Sequence, residues 1–444
     1  MDRRSFVKCA SLLAAGNAAG LHPFGMMNAM ASTTSDYKAL VCVFLYGGND
    51  ANNTLVPFDT AGYGKYANLR GPLALAQNQL LQLGSMPNFA LHPSLTGMQS
   101  LINSGAAAAV ANVGTLIQPL NRAIYLAGKS SPTNLFSHSD QQQEWQNAAA
   151  SGATQTGWAG RLSDALTPLY NTGAPIPMIT SVAGDTLFCN GSATTPVAVA
   201  PGNLGGASCS EGSECTARLN AAQALLTFNS GLSLVTADDA ISSNAYSYAK
   251  TLADATQSVT PLEAVFPPMN GLSAQLQQVA QIIQVRAALG VKRQIFFCGI
   301  GNFDTHATQL TLQATLLQGI GDAVAAFYKA TREMNVANSV TTFTMSDFSR
   351  TMQPNSNSGS DHGWGSHHFV VGGGVKGGQL YGTYPTLAFG GPDDSGTNGR
   401  WIPSTSSAQY AATLAQWFGL QTNQLASVFP TIGAFSSNNL GFMG

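Results

Sequence analysis

Three histidines and an aspartate fall within eight positions of the stretch GSDHGWGSHHF, residues 359–369. The whole chain has seven histidines in 444 residues, so this density marks a place where imidazole has a use. Imidazole nitrogen and carboxylate oxygen together form the donor set that zinc, manganese and iron accept. A second group, Asp304 and His306 in NFDTHATQ, stands two residues apart, so in an extended segment both side chains point the same way. Two further acids could join them, Asp50 in GGNDANN and Asp347 in SDFSR, the latter followed by Arg350. Each also has an ordinary structural use. Asp50 suits a helix cap or an Asx-turn, and Asp304 suits the N-cap of a following helix. The neighbours His367 and His368 point to opposite faces if they lie in a strand, so at least one of them packs or faces solvent.

The elements that would position these residues are apolar runs ending in glycine or polar residues. ALVCVFLYGG (39–48), AAAAVANVG (106–114), PIPMITSV (175–182), RQIFFCGIG (293–301), SVTTFTMSD (339–347) and HFVVGGG (368–374) predict buried strands. Helical patterns fill 94–103, 139–150, 158–167, 217–228, 241–255, 272–289, 307–335 and 407–419. The alternation predicts an α/β fold with a mostly parallel central sheet and helices on both faces. Ligands of such sheets bind at the carboxyl ends of the strands. Asp50, Asp304 with His306, Asp347, and Asp361 with His362 all follow predicted strands, and His367 or His368 begins one. These eight residues are the expected metal ligands.

The first residues, MDRRSFVKC, carry Arg3-Arg4 in the x-R-R-x-F-x-K pattern of a twin-arginine export signal. A weakly apolar stretch and a small-residue cleavage site, Ala29-Met30-Ala31, follow it. Residues 1–31 are therefore read as a signal recognised by the export machinery, and 32–444 as one domain destined for the periplasm or the medium. Gly16, Asn17 and Gly20 interrupt the apolar stretch, which argues against a membrane anchor. Residues 184–216, rich in small residues, read as an insertion in that domain. Charged residues make up only 9% of the chain against roughly a quarter in ordinary domains. With a formal net charge of −2 and no basic patch, nucleic-acid binding is excluded. Cys42 and Cys298, in apolar runs, read as buried thiols, and Cys209–Cys215 as a disulfide suited to an oxidising compartment.

The segments FLYGGNDANNTLVP, LHPSL, FSHSDQQQEW, TGWAGRL, FDTHATQ, SDFSRTMQPNSNSGSDHGWGSHHFVVGGGVKGGQLYG and IPSTSSAQYAATLAQWFG, in this order, carry a resemblance. The chain resembles the domain-of-unknown-function 1501 family, twin-arginine-exported bacterial proteins related to the alkaline phosphatase and sulfatase superfamily. The resemblance covers nearly all of the chain after the signal. It implies an alkaline-phosphatase-like sheet, one or two divalent ions (zinc or manganese), and a small-molecule or glycan ester as substrate. It also implies a nucleophile at a helix start, matched by Ser137, with His138 beside it at the leaving group or in a metal shell. Arg350 would then clamp the non-bridging oxygens. Two departures stand out: Asp304 and His306 are two apart where the superfamily phosphatases space this pair by four, and no C-x-P-S-R sulfatase segment occurs. The expected function is a periplasmic, metal-dependent hydrolase of phosphate or sulfate esters. The alternative is a non-catalytic, metal-stabilised exported protein serving surface assembly or carbohydrate binding. An esterase or lipase would need G-x-S-x-G, which does not occur.

Overall fold

The computed structural model describes residues 36–149, 154–202, 213–227, 231–268 and 270–444. Its strands are β1 Lys38–Leu45, β2 Leu55–Pro57, β3 Leu81–Gln82, β4 Phe89–Leu91, β5 Ala107–Gly114, β6 Ile179–Ser181 and β7 Val197–Ala198. There follow β8 Arg293–Ile300, β9 Val340–Ser346, β10 Arg350–Pro354, β11 Ser360–His362, β12 Ser366–Val371, β13 Leu380–Tyr381 and β14 Thr405–Ser406. Nine of them form one sheet in the order β13-β5-β12-β9-β1-β8-β6-β7, with β14 also on β5. The six apolar runs of the sequence are β1, β5, β6, β8, β9 and β12. The twin-arginine segment lies outside the described residues.

Every pairing along the sheet is parallel except those of β12, which runs antiparallel to both β5 and β9. The sheet is thus mostly parallel, with one reversed strand near its middle. The route of the chain explains the reversal. After β9 the chain makes the antiparallel hairpin β10–β11 at the carboxyl edge and re-enters the sheet from that edge through Gly363-Trp364-Gly365. A parallel return would need a crossover of a dozen or more residues to reach the opposite edge.

Alternate residues of β1 feed two cores. Ala39, Val41, Val43 and Leu45 face one side, with Leu276 and Ile283 of the helix Gly271–Gln284 and Ile320 and Phe327 of Gln309–Glu333. Leu40, Cys42 and Phe44 face the other, with Leu162 and Leu166 of Trp158–Tyr170 and Leu414 of Ser407–Phe418. Burial on both faces is why these strands read as unbroken apolar runs. Cys42, Cys189 and Cys298 are buried free thiols. Cys215 is disulfide-bonded, while Cys209 lies outside the described residues. Part of the small-residue stretch forms β7 at the end of the sheet, and its residues 203–212 are not described. Among the described residues, no helix is long and apolar enough to cross a membrane.

Candidate metal centre

At the carboxyl edge, β8 ends at Ile300 and the chain runs on to Asp304 and His306. Gly47, with φ +110°, lets the turn after β1 lie against this segment; a Cβ there would stand 2.5 Å from Asp304 N. The β10–β11 hairpin packs on the other side, its register setting Arg350 opposite His362. Its turn residue Asn355 accepts from the N–H of Asn357 and of Gly359, and donates from Nδ2 to the His306 carbonyl at 3.0 Å. Gly359 is required here, because a Cβ would sit 2.2 Å from the backbone carbon of His306. The helix His138–Asn147, capped by Ser137, brings its first residue to the same place.

Three imidazoles converge on one carboxylate. Asp304 Oδ1 lies 3.0 Å from His306 Nε2 and 3.3 Å from His362 Nε2, and Oδ2 lies 3.5 Å from His138 Nε2. Donor atoms of His138, Asp304 and His362 all lie within 4.8 Å of one another. The other nitrogen of each ring is held by a fixed acceptor: His138 Nδ1 by Asp347 Oδ2 at 2.7 Å, His306 Nδ1 by Asp361 Oδ1 at 3.3 Å, and His362 Nδ1 by the Phe136 carbonyl at 2.7 Å. A carbonyl or carboxylate oxygen accepts there, so each ring donates through Nδ1, and in its neutral form turns the Nε2 lone pair inward. Holding ring and tautomer this way is what outer partners do for metal-bound histidine. His306 Nε2 and His362 Nε2 stand 3.0 Å apart, and His138 Nε2 is buried with no hydrogen-bond partner. Two lone pairs at that separation repel unless a proton or a metal ion lies between them. Donors at 2.0–2.2 Å from a tetrahedral ion stand about 3.3–3.6 Å from each other, and the three Nε2 atoms stand 3.0–3.5 Å from the Asp304 oxygens.

The electrostatics favour keeping Asp304 charged. Burial works against its ionisation, but the hydrogen bond and charge of Arg350, then His306 and His138, hold the carboxyl below its usual range. Asp361 is also held low, its burial outweighed by Asn355 and His306. The hydrogen bond to Asp347 raises His138 above the ordinary imidazole range, and burial lowers His362 below it.

The other expected ligands do not enter the cluster. Asp50 is buried against Arg70 and Gln309 and accepts from the N–H of Asn52, capping the short helix Ala51–Thr54. Asp347 has both oxygens occupied, Oδ1 by Gly47 N–H at 3.2 Å and Oδ2 by His138 and Gln142, so it fixes the His138 ring. Asp361 likewise holds His306. His367 and His368 are buried in β12, where burial pushes each down to about 3. His367 Nδ1 accepts from Asn112 N–H, and His368 packs its ring 4.9 Å from Trp145. Arg350 is fully buried, bound to Asp304 at 2.7 Å and to the carbonyls of Gly47 and Ser360, so it fixes Asp304 and offers no clamp to a ligand. Ser137 caps its helix, its hydroxyl bonded to Asp140 within the same turn. Gln142 was missed from sequence, although its place four residues after His138 puts both on one helix face.

The family described as "Protein of unknown function (DUF1501)" matches residues 37–398. No curated protein matches the sequence. Among solved structures, Ps i-CgsB is similar at 10% identity and TM-score 0.37, covering 89% of this chain and 77% of that one. PsFucS1 sulfatase from Pseudoalteromonas sp. is similar at 9% identity and TM-score 0.36, covering 92% and 74%. The alkaline phosphatase PafA is similar at 12% identity and TM-score 0.28, covering 72% and 64%.

Proposed function

Because the chain belongs to the DUF1501 family of proteins of unknown function, its activity must be read from the site, and we propose an exported, metal-dependent hydrolase of phosphate or sulfate esters. The observation that carries this reading is the convergence of three oriented Nε2 atoms on the Asp304 carboxylate. His138, Asp304, His306 and His362 would hold one divalent ion, zinc or manganese by their mixed nitrogen and oxygen donors. Bound there, the ion would supply Lewis-acid polarisation of an ester oxygen and favour the ionised form of an attacking hydroxyl. Asp347 and Asp361 keep two of the rings in register, and Arg350 keeps Asp304 ionised and in place. Ser137, directly before His138, is the nucleophile in this reading, with Asp140 orienting its hydroxyl. The substrate is a small-molecule or glycan ester, and the RRSFVK signal supports a periplasmic or secreted site of action.

One observation favours a second reading, a metal-stabilised exported protein that binds carbohydrate or assembles at a surface without turnover. Ser137 closes its hydrogen bonds inside its own helical turn, and Arg350 is spent on Asp304. The two readings part in one experiment: zinc- or manganese-loaded protein assayed on chromogenic phosphate and sulfate esters, beside Ser137→Ala. The hydrolase reading expects turnover by the wild type and its loss in Ser137→Ala, with metal content kept and about 1 kcal/mol of stability lost with the cap. Metal-loaded protein that turns over neither ester leaves the second reading. An unchanged rate in Ser137→Ala removes the nucleophile assignment alone.

A further inference from the structure

An anionic ester needs a cation beside the reacting centre, and Arg350 is matched against Asp304 and shielded from any ligand. Arg400 contacts the surroundings of His362 from another direction. Its Nε donates to the backbone oxygen of His362 at 2.8 Å, and its guanidinium carbon lies 4.2 Å over the ring of Phe136. Phe136 is the residue whose carbonyl holds His362 Nδ1. Two contacts to the immediate supports of one ligand thus set both the position and the plane of the guanidinium. They use one of its five N–H groups. The two Nη nitrogens have no hydrogen-bond acceptor, and no carboxylate lies at ion-pair distance, among the described residues. The residue is partly exposed, as a side chain that meets a ligand must be. A planar fork with two parallel donors matches the paired oxygens of phosphate or sulfate.

We infer that Arg400 is the oxyanion-recognition residue of the site, its Nη edge taking the non-bridging oxygens of a phosphate or sulfate group presented to His138, Asp304, His306 and His362. The inference rests on the reading of that cluster as a metal centre. It also separates two duties: Arg350 fixes a ligand from within, and Arg400 selects the substrate from outside.

The test is binding of inorganic phosphate and inorganic sulfate to the zinc-loaded full chain, by calorimetry, in the wild type, Arg400→Met and Arg400→Lys. Loss of two charge-assisted hydrogen bonds predicts that Arg400→Met binds the preferred oxyanion about tenfold or more weakly, at wild-type zinc content. Arg400→Lys, which keeps the charge and loses the fork, should fall between and provides the measurement if the methionine variant does not fold. Wild-type oxyanion affinity in Arg400→Met, or no binding of either oxyanion by the zinc-loaded wild type, overturns the inference. So does loss of zinc in Arg400→Met in step with oxyanion binding, which would make Arg400 a support of His362 only. A wild type that takes up no zinc instead defeats the metal-centre reading, and the phosphate affinity ratio between metal-free wild type and Arg400→Met then decides Arg400 separately.

Discussion

His362 and, five residues on, His367 belong to one short stretch and do opposite things. His362 stands at the carboxyl edge with Nδ1 tied to a carbonyl and Nε2 turned toward a carboxylate and another imidazole. His367 and His368 lie inside β12, packed against Tyr384 and Trp145, where burial keeps them neutral. The residue type is the same; what its second nitrogen faces is not. Histidine density in a sequence therefore locates a site only to within a few residues. The strand boundary at Ser366 divides the histidine at the edge cluster from those in the core.

The sharpest break in this comparison is Asp304→Ala. Removing the carboxylate on which all three rings converge should reduce bound zinc from about one ion per chain to under a tenth, an expectation from ligand count checked by elemental analysis after dialysis. His368→Ala should do the reverse: metal content stays, while the cavity left beside Trp145 costs about 2–4 kcal/mol in chemical denaturation. If His368→Ala lost its metal, β12 would not be mere core. Asp347→Asn tests the middle ground, a buried carboxylate that touches a ligand without being one. Zinc affinity should fall about 10–100-fold with stoichiometry retained.

The last effect is in pH. His367 and His368 have folded-state values lowered to about 3, so between roughly pH 6.5 and 3 the unfolded chain binds protons that the folded chain refuses. Stability is full above that window and falls as pH drops through it, by about 1.4 kcal/mol per pH unit for each ring. His368→Gln should flatten the slope by one ring's share in urea titrations across this range. An unchanged slope would place the protons elsewhere.

Much of the fold was legible, because strands buried on both faces must be apolar along their whole length. The runs that became β1, β8 and β9 show this, and the acids after them stood out in a chain so poor in charge. The reversal of β12 was not legible from composition: HFVV reads the same in either direction, and only the short return from β11 decides it. Spacing pointed to Asp304, His306 and His362, and the family resemblance to His138; the fold brings these four side chains together. Asp50 misled because its partner, Arg70, lies twenty residues away, and burial of both charges is a tertiary fact. Asp347 and Arg350 were expected at the edge and lie there, but bonded to His138 and to Asp304, since spacing cannot show which neighbour a side chain will meet.

The place of β12 between β5 and β9 has a consequence for the timing of synthesis. The sheet partners of β5 are β12, β13 and β14, which all come after it in the chain, none earlier than Ser366. The apolar strand at Ala107–Gly114 therefore leaves the ribosome long before any strand that can pair with it. During that interval both its edges are open to whatever else presents an unpaired strand. His362 emerges just ahead of β12, so the histidine–aspartate cluster and the closure of the sheet are completed by the same late stretch of chain. A translation arrest before that stretch would release a chain with neither, and the cell's chaperones would have to hold β5 until it arrives.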